Sequence, residues 1–149
     1  MPTIVVETRI AAPLERCFDL ARDVDVHLRT AASTGERAVG GKTSGLLELG
    51  DVVTFEAVHF GVRQRLSSRI VEFDRPTRFT DEMVTGVFTS LRHVHEFMPE
   101  AGTVLMRDTL TWRSPLGPLG LLADALFVTR HLRAFLVTKQ FALKAYAER

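Results

Sequence analysis

Thr89-Ser90-Leu91-Arg92-His93-Val94-His95-Glu96-Phe97-Met98 separates two chemistries by parity: Leu91, His93, His95 and Phe97 on odd positions, Ser90, Arg92 and Glu96 on even ones with Val94. Successive side chains of a β-strand point to opposite faces, so this segment reads as a strand with one face turned inward. That inner face carries two histidines among apolar neighbours. Working outward, Asp51–Phe60, Val62–Phe73 and Arg78–Gly86 read as strands before it, and Thr103–Arg113 as a strand after it. Between them lie Gly61, Asp74-Arg75-Pro76, Gly86 and Pro99-Glu100-Ala101-Gly102, residue types that make turns. Strands joined by such short turns pair antiparallel, because parallel pairing needs long crossovers.

At the N-terminal end, Thr3–Ala11 is β-branched and partly alternating and predicts a first strand. Pro13 suits a first helical turn, and Leu14, Cys17, Phe18 and Ala21 follow at three- and four-residue spacing, predicting a short helix to about Asp23. A second short helix is expected over Val24–Ala31. Gly35–Gly50 is loop-rich, with one short strand expected around Glu36–Val39. Beyond Pro115-Leu116-Gly117-Pro118, the run Leu119–Ala147 has no proline and a single glycine, Gly120. Leu122, Ala125, Val128, Leu132, Phe135, Leu136, Ala142, Leu143 and Tyr146 form an apolar stripe at helical spacing. Such a helix, about 29 residues, would run about 43 Å, enough to cross a whole sheet. Residues 1–149 thus predict one α+β domain: a curved antiparallel sheet of six to seven strands wrapped around a long C-terminal helix, with two short helices after the first strand.

Charge and composition remove several function classes. Lys and Arg number 19 against 18 acids, which leaves no basic excess for nucleic acid, and Arg63, Arg65 and Arg69 alternate along one strand as its wet face. Cys17 is the only cysteine, so no intrachain disulfide can form, and a reduced, cytoplasmic setting is expected. Met1–Ala12 carries Glu7 and Arg9 within an alternating pattern, unlike a signal peptide. The most apolar stretch, Leu116–Val128, contains Pro118 and Asp124 and is shorter than the roughly 20 residues of a membrane span.

Parity assigns the inner face strand by strand: Val53, Phe55, Ala57 and His59; then Val62, Gln64, Leu66, Ser68 and Ile70; then Leu91, His93, His95 and Phe97; then Met106, Asp108, Leu110 and Trp112. Strand Arg78–Gly86 stays open: either Phe79, Asp81 and Met83 face inward, or Glu82 and Val84 do. A concave sheet cannot meet one helix along its whole length, and a cavity opens where they diverge. Apolar walls with a few polar groups are what small-molecule sites look like. Phe55, Gln64, Leu66, Phe97, Met106, Leu110, Trp112, Val128 and Phe135 are expected on such a wall, with His59, His93, His95 and Asp108 orienting the polar end of a ligand.

The order of elements, together with His59-Phe60-Gly61, Asp74-Arg75-Pro76 before Arg78-Phe79, Gly86-Val87-Phe88, His93-Val94-His95-Glu96-Phe97 and Pro115-Leu116-Gly117, resembles the START/SRPBCC superfamily. This is the birch-pollen-allergen-like, helix-grip architecture, and the closer likeness is to bacterial members often labelled polyketide cyclase/dehydrase-like. The resemblance implies a hydrophobic-ligand cavity under the helix. It leaves activity open, because the superfamily spans carriers, receptors and enzymes. Nothing in the chain is similar to the Rieske cluster motif of the oxygenase members.

Each polar candidate has more than one reading. His93 and His95, with His59 or Asp108 as a third ligand, could bind zinc or iron, but no third ligand stands at a fixed spacing, and no metal or cofactor is expected. His93 or His95 backed by Asp108 could be a general base, or the three could form a structural hydrogen bond. Trp112 is expected as a packing anchor rather than a stacking platform. Gly117 and Gly120 could hinge the helix or simply start it. His131, beside Arg130 and Arg133, is expected on a solvated face. Three functions follow from these readings: binding of a lipid- or polyketide-like small molecule, a cofactor-independent cyclase or dehydratase of the same fold, or an interaction module with a filled cavity. Monomer and homodimer both remain open.

Overall fold

Alternation and turn chemistry build the sheet as expected. The computed structural model describes residues 1–31 and 34–149. Strand β1 (Thr3–Ile10) is followed by helices α1 (Leu14–Ala21) and α2 (Val24–Thr30), the latter begun by Asp23, whose carboxylate accepts from the backbone N–H groups of Asp25 and Val26. Then come β2 (Arg37–Gly41), β3 (Val52–His59), β4 (Val62–Asp74), β5 (Arg78–Thr85), β6 (Ser90–Glu100) and β7 (Thr103–Arg113). Strands β2 to β7 form a meander, and β1 returns to pair with β7, giving the order β1-β7-β6-β5-β4-β3-β2, antiparallel throughout. Register shifts at Ala38/Gly40 in β2 and at Ser67/Ser68 and Ile70/Glu72 in β4 mark irregularities of the kind that bend a sheet.

The two faces carry the chemistry that parity assigns. On the outer face Glu56 accepts from Arg37, Arg63 and Arg65 at 2.7, 3.0 and 2.9 Å, and these guanidinium groups pull its carboxyl down to about 2. On the inner face Phe18 of α1 meets Phe73, Phe79 and Phe97 edge-on, at centroid separations of 5.5, 5.3 and 5.5 Å. With Val24, Val26, Val104 and Met106 they form the larger core, which α1, α2 and the far end of the C-terminal helix close. A smaller core joins Ile4, Val6, Leu110, Trp112 and Leu136.

The C-terminal helix runs without a break as α3 (Pro118–Ala123), a π turn (Asp124–Val128) and α4 (Thr129–Ala147). The π turn corrects the expected stripe. A wider turn rotates everything before it relative to α4, so Leu122 is 55% exposed and Ala125 is exposed, while Asp124 is only 3% exposed. Asp124 Oδ1 accepts from Trp112 Nε1 at 3.0 Å and from Ser114 Oγ at 2.5 Å, hydrogen bonds that fasten the start of the helix to the end of β7. Gly120 is required by close approach: a Cβ there would lie 2.1 Å from the Pro115 carbonyl oxygen. No helix among the described residues is long and apolar enough to cross a membrane.

Candidate functional site: a cavity with one polar pole

Between the inner face of β3–β7 and the segment from Leu116 to Lys139 the helix and sheet diverge, leaving a cavity of about 430 Å³. Its wall is mostly apolar. Of the residues expected there, Phe55, His59, Gln64, Leu66, His93, His95, Leu110, Val128 and Phe135 border it. Phe97, Met106 and Trp112 do not: Phe97 and Met106 are packed into the larger core and Trp112 into the smaller one, where Asp124 anchors it. They share parity with the wall residues, but helix side chains reach down onto them. Asp108 lies behind the wall, bordering a separate void of about 20 Å³ with Met106, His95, Lys139 and Gln140.

Several of the polar groups are linked to one another. Asp81 settles the open parity of β5: it faces inward with Phe79, and both border the cavity. Asp81 pairs with His93 across the β5–β6 ladder, and His95 pairs with Asp108 across β6–β7. The result is a chain of polar contacts running behind and along the wall. His95 Nε2 donates to Asp81 Oδ2 at 2.9 Å, and its Nδ1 lies 3.0 Å from Asp108 Oδ1. His93 Nε2 donates to the same Asp108 oxygen at 2.8 Å. Gln140 Nε2 donates to Asp108 Oδ2 at 2.5 Å and to the Val6 carbonyl at 2.9 Å, and Thr8 Oγ1 donates to Gln140 Oε1 at 2.7 Å.

Both ring nitrogens of His95 face carboxylate oxygens: Nε2 is hydrogen-bonded to Asp81 and Nδ1 lies 3.0 Å from Asp108, an environment that favours the charged ring. Burial opposes that charge, but Asp108 and Asp81 outweigh it and raise the His95 pKa above its ordinary value. His93 goes the other way: burial, together with the charged His95 ring stacked 3.8 Å away, lowers its pKa. Donating to Asp108 through Nε2, His93 has no hydrogen-bond partner for Nδ1 among the described residues. Burial would raise the pKa of Asp81 and Asp108, yet their histidine partners hold both below the usual range, Asp108 well below.

Sequence reasoning missed a second part of this pole. His27 Nε2 meets Glu36 Oε1 at 2.5 Å, its ring stacked on Phe55 with centroids 4.3 Å apart, and both border the cavity with Lys139. Burial holds His27 down in pKa, and the histidine beside it lowers Glu36. Lys139 was findable, since it continues the Val128, Leu132, Phe135 spacing; Glu36 sits at the edge of a glycine-rich loop and gave no periodic signal. His131, expected in solvent, instead meets His59 at 2.7 Å on the cavity wall. Only one of that pair can donate, and burial and the neighbouring ring lower the His59 pKa. Phe60, Val87, Leu116 and Leu119, all exposed, also border the cavity and form its open side.

Asp81, His93 and His95 each present one ligand atom within 4.8 Å of the others, the donor set of a histidine–carboxylate metal site. The third member is Asp81 rather than the expected His59 or Asp108. A cation there would have to displace the His95 proton that already joins His95 to Asp81.

No protein-family model matches the chain, and no curated protein does. Solved structures do. TTHA0849 from Thermus thermophilus superposes with a TM-score of 0.76 at 21% identity, over 97% of this chain and 95% of that one. Major latex-like protein 151 from Panax ginseng gives a TM-score of 0.74 at 13% identity, over 99% and 98% of the two chains. CV1439 from Chromobacterium violaceum gives 0.74 at 14%, over 99% and 97%. This is the helix-grip fold. At these identities the likeness is one of architecture, and the helix-grip frame explains why the cavity lies where the long helix leaves the sheet.

Proposed function

We propose that this helix-grip chain binds a hydrophobic or amphipathic small molecule, lipid- or polyketide-like, in the cavity between sheet and C-terminal helix. One observation carries the reading: an open volume of about 430 Å³ with a mostly apolar wall that also carries the linked Asp81, His93 and His95. That volume lies within the range of roughly 300–1,000 Å³ typical of small-molecule sites. Leaving it empty forgoes the dispersion contacts and apolar burial that a ligand supplies. The test is native mass spectrometry of the purified chain under gentle desolvation. A discrete added mass that disappears on organic extraction is expected; a bare chain that also takes up no apolar dye removes the reading.

A second reading rests on the opposed protonation of two adjacent histidines. Environments that push neighbouring groups apart in pKa set up acid and base roles. His93, neutral and oriented by Asp108, would take a proton; His95, an imidazolium, would stabilise a developing oxyanion. A cyclase or dehydratase acting on a polyketide-like substrate needs that pair of functions. Its mark is a bell-shaped pH–rate profile that His93→Ala and His95→Ala both abolish. The unfilled volume disfavours the remaining reading, an interaction module without a ligand.

A further inference from the structure

We propose that Asp81, His93 and His95 form a binding site for a divalent metal ion of the zinc class, with its open coordination position on the cavity. The ion is a further ligand of the chain, separate from the small molecule proposed above, and the site is testable with the metal alone.

The donor set comes from two neighbouring strands. Asp81 on β5 stands opposite His93 on β6, and His95 follows two residues later on the same face. The sequence offers the two histidines without a third ligand, because Asp81 reaches them only through the β5–β6 register. One ligand atom from each of the three residues lies within 4.8 Å of the other two. Atoms bound at about 2.1 Å to one four-coordinate ion stand about 3.4 Å apart. The cluster is therefore close to the span that an ion imposes. Two imidazoles and a carboxylate suit zinc and its neighbours among the divalent transition metals.

Hydrogen bonds behind the cluster turn the ligating atoms forward. Asp108 Oδ1 accepts from His93 Nε2 at 2.8 Å and lies 3.0 Å from His95 Nδ1. One nitrogen then remains on each ring. His95 Nε2 meets Asp81 Oδ2 at 2.9 Å, and His93 Nδ1 has no hydrogen-bond partner among the described residues. Gln140 fixes Asp108 in turn, donating to its Oδ2 and to the Val6 carbonyl. A carboxylate behind a metal-binding histidine orients the ring and raises its basicity. Asp108 is placed to do this for both rings at once.

An ion also has a way in and a place left over. Asp81, His93 and His95 all border the cavity, and Asp81 and His93 are only partly buried. Three protein ligands leave a position for water or for an oxygen of the cavity's ligand. The ion takes the place of the proton between His95 and Asp81, which binding releases to solvent. Bound metal and the acid–base pairing of the second reading use the same ring nitrogens, so the two states exclude each other.

The test is calorimetric titration of the untagged, metal-free full chain with zinc chloride near neutral pH. Expected is saturable uptake of one ion per chain in the micromolar range or tighter, reversed by EDTA. Asp81→Asn and His93→Gln, each first shown to melt cooperatively, are expected to weaken zinc binding by about tenfold or more. His131→Asn, which breaks the other close histidine pair, is expected to leave it within about threefold of the wild type. If either of the first two variants does not fold, nitrogen NMR of the wild-type histidine rings decides instead: zinc should shift His93 and His95 and leave His59 and His131 in place. The proposal is overturned by no saturable zinc uptake, by undiminished affinity in folded Asp81→Asn and His93→Gln, or by binding or ring shifts that follow His59 and His131. None of these outcomes bears on whether the cavity holds an apolar ligand, which the native mass spectrum tests separately.

Discussion

The two halves of the trough are made from the same strands and end differently. Around Phe18, the side chains of β4, β5 and β6 meet α1, α2 and the last turns of α4, and the space is filled by rings in edge contact. Further along the sheet, Leu66 of β4, Leu91 of β6 and Leu110 of β7 face the same side and meet a void. Alternation turns both sets inward, with the register shift between Ile70 and Glu72 bringing Phe73 of β4 onto the same face as Leu66. What differs is what stands opposite: three helical segments in one half, and in the other a single helix whose π turn and early leucines lie partly in solvent. Packing, not patterning, separates a core from a pocket.

Truncation in the filled half is the strongest way to break this contrast. Phe18→Ala is expected to cost about 4 kcal/mol in chemical denaturation, since three rings lose their shared neighbour and α1 cannot collapse onto the sheet. Next is Asp108→Ala, expected to cost about 3 kcal/mol, because it leaves the His95 charge, His93 Nε2 and the Gln140 amide without their common acceptor. Phe135→Ala, on the hollow side, is expected to cost under about 1.5 kcal/mol, since the ring already borders open space. A loss at Phe135 equal to that at Phe18 would mean the two halves are packed alike.

Stability against pH sharpens the contrast by locating its charges. His27, His59 and His93 have folded pKa values below their ordinary value of about 6.5, so the unfolded chain binds more protons and stability falls as pH drops below about 6.5. His95 is raised, so its contribution is whole below about 6.5 and is lost as pH climbs through the raised folded value. Asp81 and Asp108 are lowered; their contribution is present above about 3.9 and is lost as pH falls through their folded values. Melting temperature against pH is therefore expected to form a dome, with an alkaline limb that flattens in His95→Gln. Smallest of all, Leu122→Ser on the exposed start of the helix is expected to change stability by under about 0.5 kcal/mol.

Element order, strand parity and the helix-grip architecture were legible because period-two alternation and turn residues act locally. The same reasoning placed His59, His93 and His95 on the inner face. It could not place Asp81, because Arg78–Gly86 alternates polar residues on both faces and only pairing with β4 and β6 decides between them. It put Phe97, Met106 and Trp112 on the cavity wall because parity gives a face, not the depth to which a helix fills it. It misjudged Leu122 because a π turn leaves no period in the sequence, and the stripe on α4 was carried straight through it. It misjudged His131 because the flanking Arg130 and Arg133 read as a solvated face, although His131 stands one turn before Phe135 on the side of α4 that borders the cavity. Asp124 shows the physical reason: a carboxylate drawn to the Trp112 indole and the Ser114 hydroxyl fixes the rotation of the helix start.

The most direct test of the hollow half as a binding site is to fill it from within. Leu66→Trp places an indole into the void from β4 without touching the polar pole. Nile red titrations of the two proteins should give saturable uptake in the wild type and at least tenfold weaker uptake in the variant, with the variant's melting temperature equal or higher. Undiminished dye affinity in a folded Leu66→Trp protein would place the dye elsewhere and contradict the account.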